Sequence, residues 1–175
     1  MTLSFSTKWP ARMQSCACQP NYFLEKIWSG FHHKGMLGPL ERIDYDQEHK
    51  ERFGSYWDGW YTPDTTLPKL HTIRHGHRWK PGMKIHMVIN NRSANRFQFA
   101  PVLTVTSVQD LVIRHWSGFR GGNPVDVYID GRYLFRDNKK LALAKNDGFE
   151  SLEHFFQWFN TDFTGQIIHW TSLRY

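Results

Sequence analysis

Seven cations, Lys69, Arg74, Arg78, Lys80, Lys84, Arg92 and Arg96, fall in one interval of the chain, and no acid occurs there between Asp64 and Asp110. With 16 Asp and Glu in 175 residues, an interval of this length would hold about four by chance. The chemistry this favours is the binding of an anion. His71, His75, His77 and His86 lie among the cations. His75 and His77 share one face of an extended segment, but no neighbouring carboxylate or cysteine completes a ligand set, so neither a metal nor another cofactor is expected. Trp79, Phe97 and Phe99 interleave with the cations, a mixture suited to stacking bases while attracting phosphates.

The elements that position these residues are legible as alternation. Pro68 restrains the backbone, after which Leu70, Thr72 and Arg74 alternate with Lys69, His71 and Ile73 as an extended segment requires. A turn at Trp79 to Gly82 leads into a strand over Met83 to Asn90, with Met83, Ile85, Met87 and Ile89 on one face. In a regular strand Lys69 and Thr72 point to opposite faces, so a joint role requires Lys69 to sit in the bend that Pro68 predicts.

Lys69-Leu70-His71-Thr72-Ile73-Arg74, followed by a polar loop and a Pro-Gly approach to a strand, resembles the K-x-x-T-x-R signature of ASCH domains in the PUA-like superfamily. Leu3-Ser4-Phe5 and the Tyr22 to Phe31 segment resemble that family's first strand and helix, and Asp147-Gly148-Phe149 the start of its late helix. The resemblance covers the chain apart from an insertion at about 36 to 66. It implies a single α+β domain over 1–175, a small PUA-like β-barrel with two or three flanking helices, and a cleft beside the first helix that takes RNA or modified bases. Acetylcytidine amidohydrolases of this fold use a lysine, a threonine and a glutamate. Residue by residue, that implies Lys69 as base and Thr72 as nucleophile, with Asp147, one methylene shorter than glutamate, as the acid and Glu150 as its substitute. Arg74 would hold a phosphate or the oxyanion. A threonine hydroxyl is a poor nucleophile until a base takes its proton, and a lysine serves as that base only when burial or neighbouring positive charge lowers its pKa.

The chain has the length of one domain. Its eight Trp, thirteen Phe and seven Tyr exceed what such a core needs, which places some on a binding surface. A net charge of +6 permits nucleic-acid binding that salt would weaken. Cys16 and Cys18 are too close for an unstrained disulfide and are read as free thiols of a reducing, cytoplasmic compartment. No apolar run approaches the ~20 residues of a membrane span, and no signal-peptide order opens the chain.

In chain order, Thr2 to Trp9 predicts a first strand and Tyr22, Phe23, Ile27 and Phe31 an amphipathic helix capped by Asn21 and stopped by Gly35. Residues 36 to 66 hold seven acids with Phe53, Tyr56, Trp57, Trp60 and Tyr61, and read as an inserted acidic and aromatic loop. It would be either an aromatic lid, with Trp57, Trp60 and Tyr61 stacking on a base, or a patch packed on the surface. Two strands are expected at Phe97 to Val108 and Leu111 to Trp116. Gly118 to Pro124, with Arg120 among glycines, is a phosphate-approaching loop or a plain hairpin. Val125 to Ile129 and Arg132 to Phe135 flank an Asp130-Gly131 turn. Lys139 to Lys145 is a short helix, Ser151 caps another with Leu152, Phe155, Phe156 and Phe159 on its apolar face, and Gln166 to Leu173 closes the fold.

Three functions compete. The first is a reader of RNA or modified nucleotides, using Arg74, Arg78, Trp79, Lys80, Lys84, Arg92 and Arg96 with the insertion's aromatics. The second is an amidohydrolase built on Lys69, Thr72 and Asp147. The third is a protein-binding module anchored through residues 36 to 66.

Overall fold

The computed structural model describes residues 1–57, 66–117 and 124–175. Its elements in chain order are β1 (Thr2–Ser4), a 3-10 helix (Ala11–Cys16), α1 (Phe23–His33), α2 (Pro39–Phe53), β2 (His71–His75), β3 (Lys84–Ile89), β4 (Phe97–Gln98), β5 (Leu103–Thr104), β6 (Ser107–His115), β7 (Val125–Ile129), β8 (Arg132–Tyr133), α3 (Asp137–Asn146), α4 (Leu152–Trp158) and β9 (Phe163–His169). The class is α+β. Among the described residues the strands pair into two sheets and no closed barrel forms. The chain divides into two compact units, Met1–Leu70 with Lys84–Thr104, and His71–Met83 with Val105–Tyr175. No helix of the described residues is long and apolar enough to cross a membrane.

In the first unit β1 runs parallel to β3, setting Leu3 against Met87, while β4 and β5 pair antiparallel with the two ends of β3. The alternation read from Met83 onward holds in part: Ile85, Met87 and Ile89 are buried and Lys84 is exposed, but Val88 on the opposite face is buried as well. Helix α1 contributes Ile27, Trp28 and Phe31 to this core, and the Trp28 indole donates to the Phe99 carbonyl at 3.1 Å. Burying side chains of this size is worth roughly 1.5–3 kcal/mol each, which is what holds the helix to the sheet. Asn21 accepts from the Phe23 N–H at 3.0 Å, the capping bond expected of it, although the cap position itself is Tyr22. Gly35, at φ 60, turns the chain out of α1 so that the Met36 N–H reaches back to the Phe31 carbonyl.

The stretch 36 to 66, expected to be a loop, instead carries the fifteen-residue helix α2. Pro39 opens it, where the missing N–H would have no helical partner in any case. The Glu41 carboxylate accepts from the Gly38 N–H at 2.9 Å, and Gly54 at φ 80 ends it. Arg42–Asp46 and Gln47–Glu51, each at 3.0 Å, support it along its length. Several of the described rings of this stretch are packed, although Tyr56 is exposed. His49 and Phe53 pack edge-on against Phe97, and Tyr45 lies against Trp28.

The second unit is a five-stranded sheet in the order β2-β9-β6-β7-β8. β6 is a single nine-residue strand where a break near residue 109 was expected. The buried Gln109 is paired across it with Asp130 and Tyr175, so its polarity does not interrupt the strand. Leu111, Ile113, Val127 and Ile167 form the buried face. Asp130 and Gly131 both have positive φ, as the Asp-Gly hairpin predicts. Ser151 caps α4, accepting from the His154 N–H at 3.1 Å, and Phe155 and Phe159 build a ring cluster with Phe149 and Phe163.

Candidate functional site

In the first unit, the chain entering α1 borders an open cavity of about 360 Å³, lined among others by Lys8, Tyr22, Phe23, Glu25 and Trp57. Its rim is held by backbone pairing. Lys8 bridges Pro20, the Trp9 N–H donates to Gln19 at 2.9 Å, and the Cys18 N–H donates to Trp9 at 3.0 Å. Cys16 and Cys18 are not bonded to each other. Tyr22 takes a left-handed backbone, φ 55, and is half exposed at the cavity mouth. Phe23 is fixed from behind by Trp9, whose ring meets it edge-on at 5.2 Å.

Glu25, one turn into the helix, is only 3 % exposed. Its Oε1 accepts from the Trp57 indole N–H at 2.6 Å, so a residue that follows α2 closes over the start of α1. A bond between an ionised acceptor and an indole is among the stronger side-chain hydrogen bonds, of order 1.5–3 kcal/mol. Trp57, one of the residues expected to form a stacking lid or a packed patch, thus lines the cavity beside Glu25. Trp60, Tyr61 and Arg120, which were expected to stack or to approach phosphate, lie outside the described residues.

Lys69 belongs to this unit and sits before β2, in the bend that Pro68 predicts. It is 2 % exposed, its N–H donates to Lys26 at 2.7 Å, and its ammonium lies 4.9 Å from the centre of the Phe23 ring. The approach of α1 to this bend depends on Gly30, where a Cβ would lie 2.5 Å from the Lys69 carbonyl oxygen. Lys84, Arg92 and Arg96 are in the same unit but do not line the cavity. Lys84 and Arg92 are exposed and Arg96 is half-buried.

Thr72, Arg74, Arg78, Trp79, Lys80 and Asp147 belong to the second unit, so the cations of the acid-free interval are shared between two bodies. Trp79 corrects the sequence reading. It is 2 % exposed, with its backbone N–H and carbonyl both held by the Gln166 side-chain amide, so it is a core residue and offers no face to a base. Phe97 and Phe99 are likewise buried. Arg78 and Lys80 are exposed. Burial lowers the Arg74 pKa from its ordinary value, with Asp147 opposing the shift, and its Nη1 donates to the Ile73 carbonyl at 3.1 Å.

Thr72 is 1 % exposed and its hydroxyl has no hydrogen-bond partner among the described residues. A threonine nucleophile requires a base that takes its proton, and no described residue accepts a hydrogen bond from this hydroxyl. Beside it in sequence, His71 and Asp147 belong to a sealed polar cluster. His71 Nδ1 is 3.8 Å from the Asp147 carboxylate, and its Nε2 meets the Tyr175 hydroxyl at 2.8 Å. That hydroxyl also accepts from Asn146 at 2.9 Å, and burial pushes its pKa up. His169 lies against the His71 ring with neither ring nitrogen hydrogen-bonded among the described residues, and burial, assisted by Arg174, holds its pKa down to about 4. His77, by contrast, is exposed and paired with Asp110 at 3.0 Å.

Glu25, Tyr22, Phe23 and Lys8 were not singled out from the sequence as site residues. The sequence carried no signal for them: Glu25, Lys26 and Ser29 make the polar face of a segment that reads as amphipathic, and only the structure shows all three to be buried. Comparison of the chain with family models, with curated proteins and with solved structures finds no match.

Proposed function

We propose that the chain is an ASCH-like, PUA-type reader of RNA or a modified nucleotide, and that the base is taken up in the cleft at the start of α1. The observation that carries this reading is the cavity of about 360 Å³ lined by Phe23 and by Trp57, whose indole is held by Glu25. Its volume lies at the small end of the range for small-molecule sites, a size suited to a nucleoside. It offers what base recognition uses: aromatic side chains for stacking, an acceptor for base donors, and Lys8 at the rim for phosphate. The K-x-x-T-x-R hexamer and the first helix support the family expectation, and the Lys69 ammonium lies 4.9 Å from the ring of Phe23, which lines the same cleft. The hydrolase reading lacks comparable support, because the Thr72 hydroxyl is sealed from solvent and makes no hydrogen bond among the described residues.

The test is calorimetric titration of the full chain with a single-stranded RNA of about ten nucleotides, within the span such domains cover. Binding should weaken as salt rises and fall roughly tenfold or more in Trp57→Ala, since stacking on one ring is worth about 1–3 kcal/mol. No binding at low salt, or a Trp57→Ala chain that binds as tightly as the natural one, would overturn the reading.

A further inference from the structure

Glu25 carries more than the latch to Trp57. A carboxylate has about four acceptor sites, and the indole N–H fills one of them. No other hydrogen-bond or ion-pair partner of Glu25 lies among the described residues, yet the residue is 3 % exposed and lines the cavity. An acceptor group withdrawn from bulk water with sites left open is unfavourable until a donor reaches it, and the cavity is where that donor can come from.

The donor has to satisfy an acceptor-only group, which sorts the bases. Guanine offers adjacent N1–H and exocyclic amino donors, and cytosine an exocyclic amino group. Uracil offers one N–H flanked on both sides by carbonyl oxygens, which a carboxylate repels. We infer that Glu25 makes the cleft select bases bearing an exocyclic amino group, guanine foremost, over uracil. This inference rests on the cleft being the nucleotide site. The Trp57 bond gives the selection its geometry, because it fixes one oxygen and so leaves the carboxylate little freedom to turn away from an unsuitable edge. The same bond couples stacking to reading, since a ring held by the carboxylate can lie over only one ligand plane.

The experiment is calorimetric titration of the full chain with four nucleoside 5′-monophosphates taken in matched pairs. Guanosine against inosine differs by the 2-amino group, and cytidine against uridine exchanges the amino group for a carbonyl. The natural chain should prefer the amino-bearing member of each pair by about tenfold or more, the scale of one hydrogen bond to a charged group. Glu25→Gln should still bind but bring each pair within about twofold, because an amide can turn to present either a donor or an acceptor. Equal binding of both members of each pair by the natural chain overturns this inference and leaves the cleft as a nucleotide site. No binding of any of the four overturns the inference and the proposed function together. The paired comparison is made on the natural chain, so it decides the matter even if Glu25→Gln fails to fold.

Discussion

Both units bury ionisable side chains, and they finish them differently. In the first, Glu25 is buried beside an open cavity and shares its carboxylate with a single indole. In the second, His71, Asp147, Asn146 and Tyr175 close on one another, while Thr72 and His169 are sealed in with polar atoms that no partner among the described residues reaches. The residue types are equally suggestive of chemistry in both places. What separates them is access: an open acceptor beside a cavity can be satisfied by a ligand, whereas a sealed hydroxyl or imidazole can only weigh on stability. The same contrast explains why the K-x-x-T-x-R hexamer, taken as one functional string, divides. Lys69 is buried against the Phe23 ring in the first unit and Thr72 in the interior of the second.

The sharpest way to break the second unit alone is Gly165→Ala. A Cβ there would stand 2.2 Å from the Arg74 carbonyl oxygen and 2.8 Å from the Phe163 ring, forcing β2 away from β9. A loss of about 3 kcal/mol or more is expected, read as a fall in the denaturant midpoint. An unchanged midpoint would mean that β2 and β9 do not pair as described.

Acid should find the same unit through His169. Its pKa is depressed from 6.5 to about 4 in the folded chain, so its full contribution is present above pH 6.5. As pH falls from 6.5 towards 4, the unfolded chain takes up a proton that the folded chain refuses, and stability drops by up to about 3 kcal/mol. Denaturation curves of the natural chain and His169→Phe at pH 7.5 and 4.5 test this: the variant should lose less stability between them. Parallel losses would remove His169 as a cause.

In the first unit the expected effects are on binding. Gly30→Ala would press a methyl against the Lys69 carbonyl oxygen, 2.5 Å away, and shift α1 with the cleft that its first turn builds. Affinity for single-stranded RNA should fall severalfold, together with a loss of about 1–3 kcal/mol in stability. The smallest effect sharpens the contrast most. Thr72→Val replaces an unpartnered hydroxyl by a methyl, so stability should change by less than about 1 kcal/mol, with a gain as the favoured direction, and RNA affinity should not move. If the natural chain released cytidine from an N-acylated cytidine and Thr72→Val did not, the hydrolase reading would return.

Much of this was legible in the sequence because it depends on local pattern. Alternation at Met83 to Asn90, the four-residue recurrence of Tyr22 to Phe31, the Asp130-Gly131 turn and the Ser151 cap are all decided within a few residues. Helix α2 was missed because the composition of residues 36 to 66 was read as that of a loop, when Pro at the first helical position and Gly54 at the far end are start and stop signals. Trp79 was misplaced because an aromatic among cations looks like a stacking residue. Its burial follows from Gln166, eighty-seven positions away, which holds its backbone. Glu25 escaped for the same reason, since its role depends on where the chain beyond α2 lays Trp57. Local order of residues cannot state which side chains meet across such separations.

Ultraviolet cross-linking of single-stranded RNA to the full chain, with the adduct mapped by mass spectrometry, tests the central claim most directly. Adducts should concentrate on Tyr22, Phe23 and Trp57 and disappear as salt rises. Adducts confined to the exposed cations Arg78, Lys80, Lys84 and Arg92, with none at the start of α1, would contradict it.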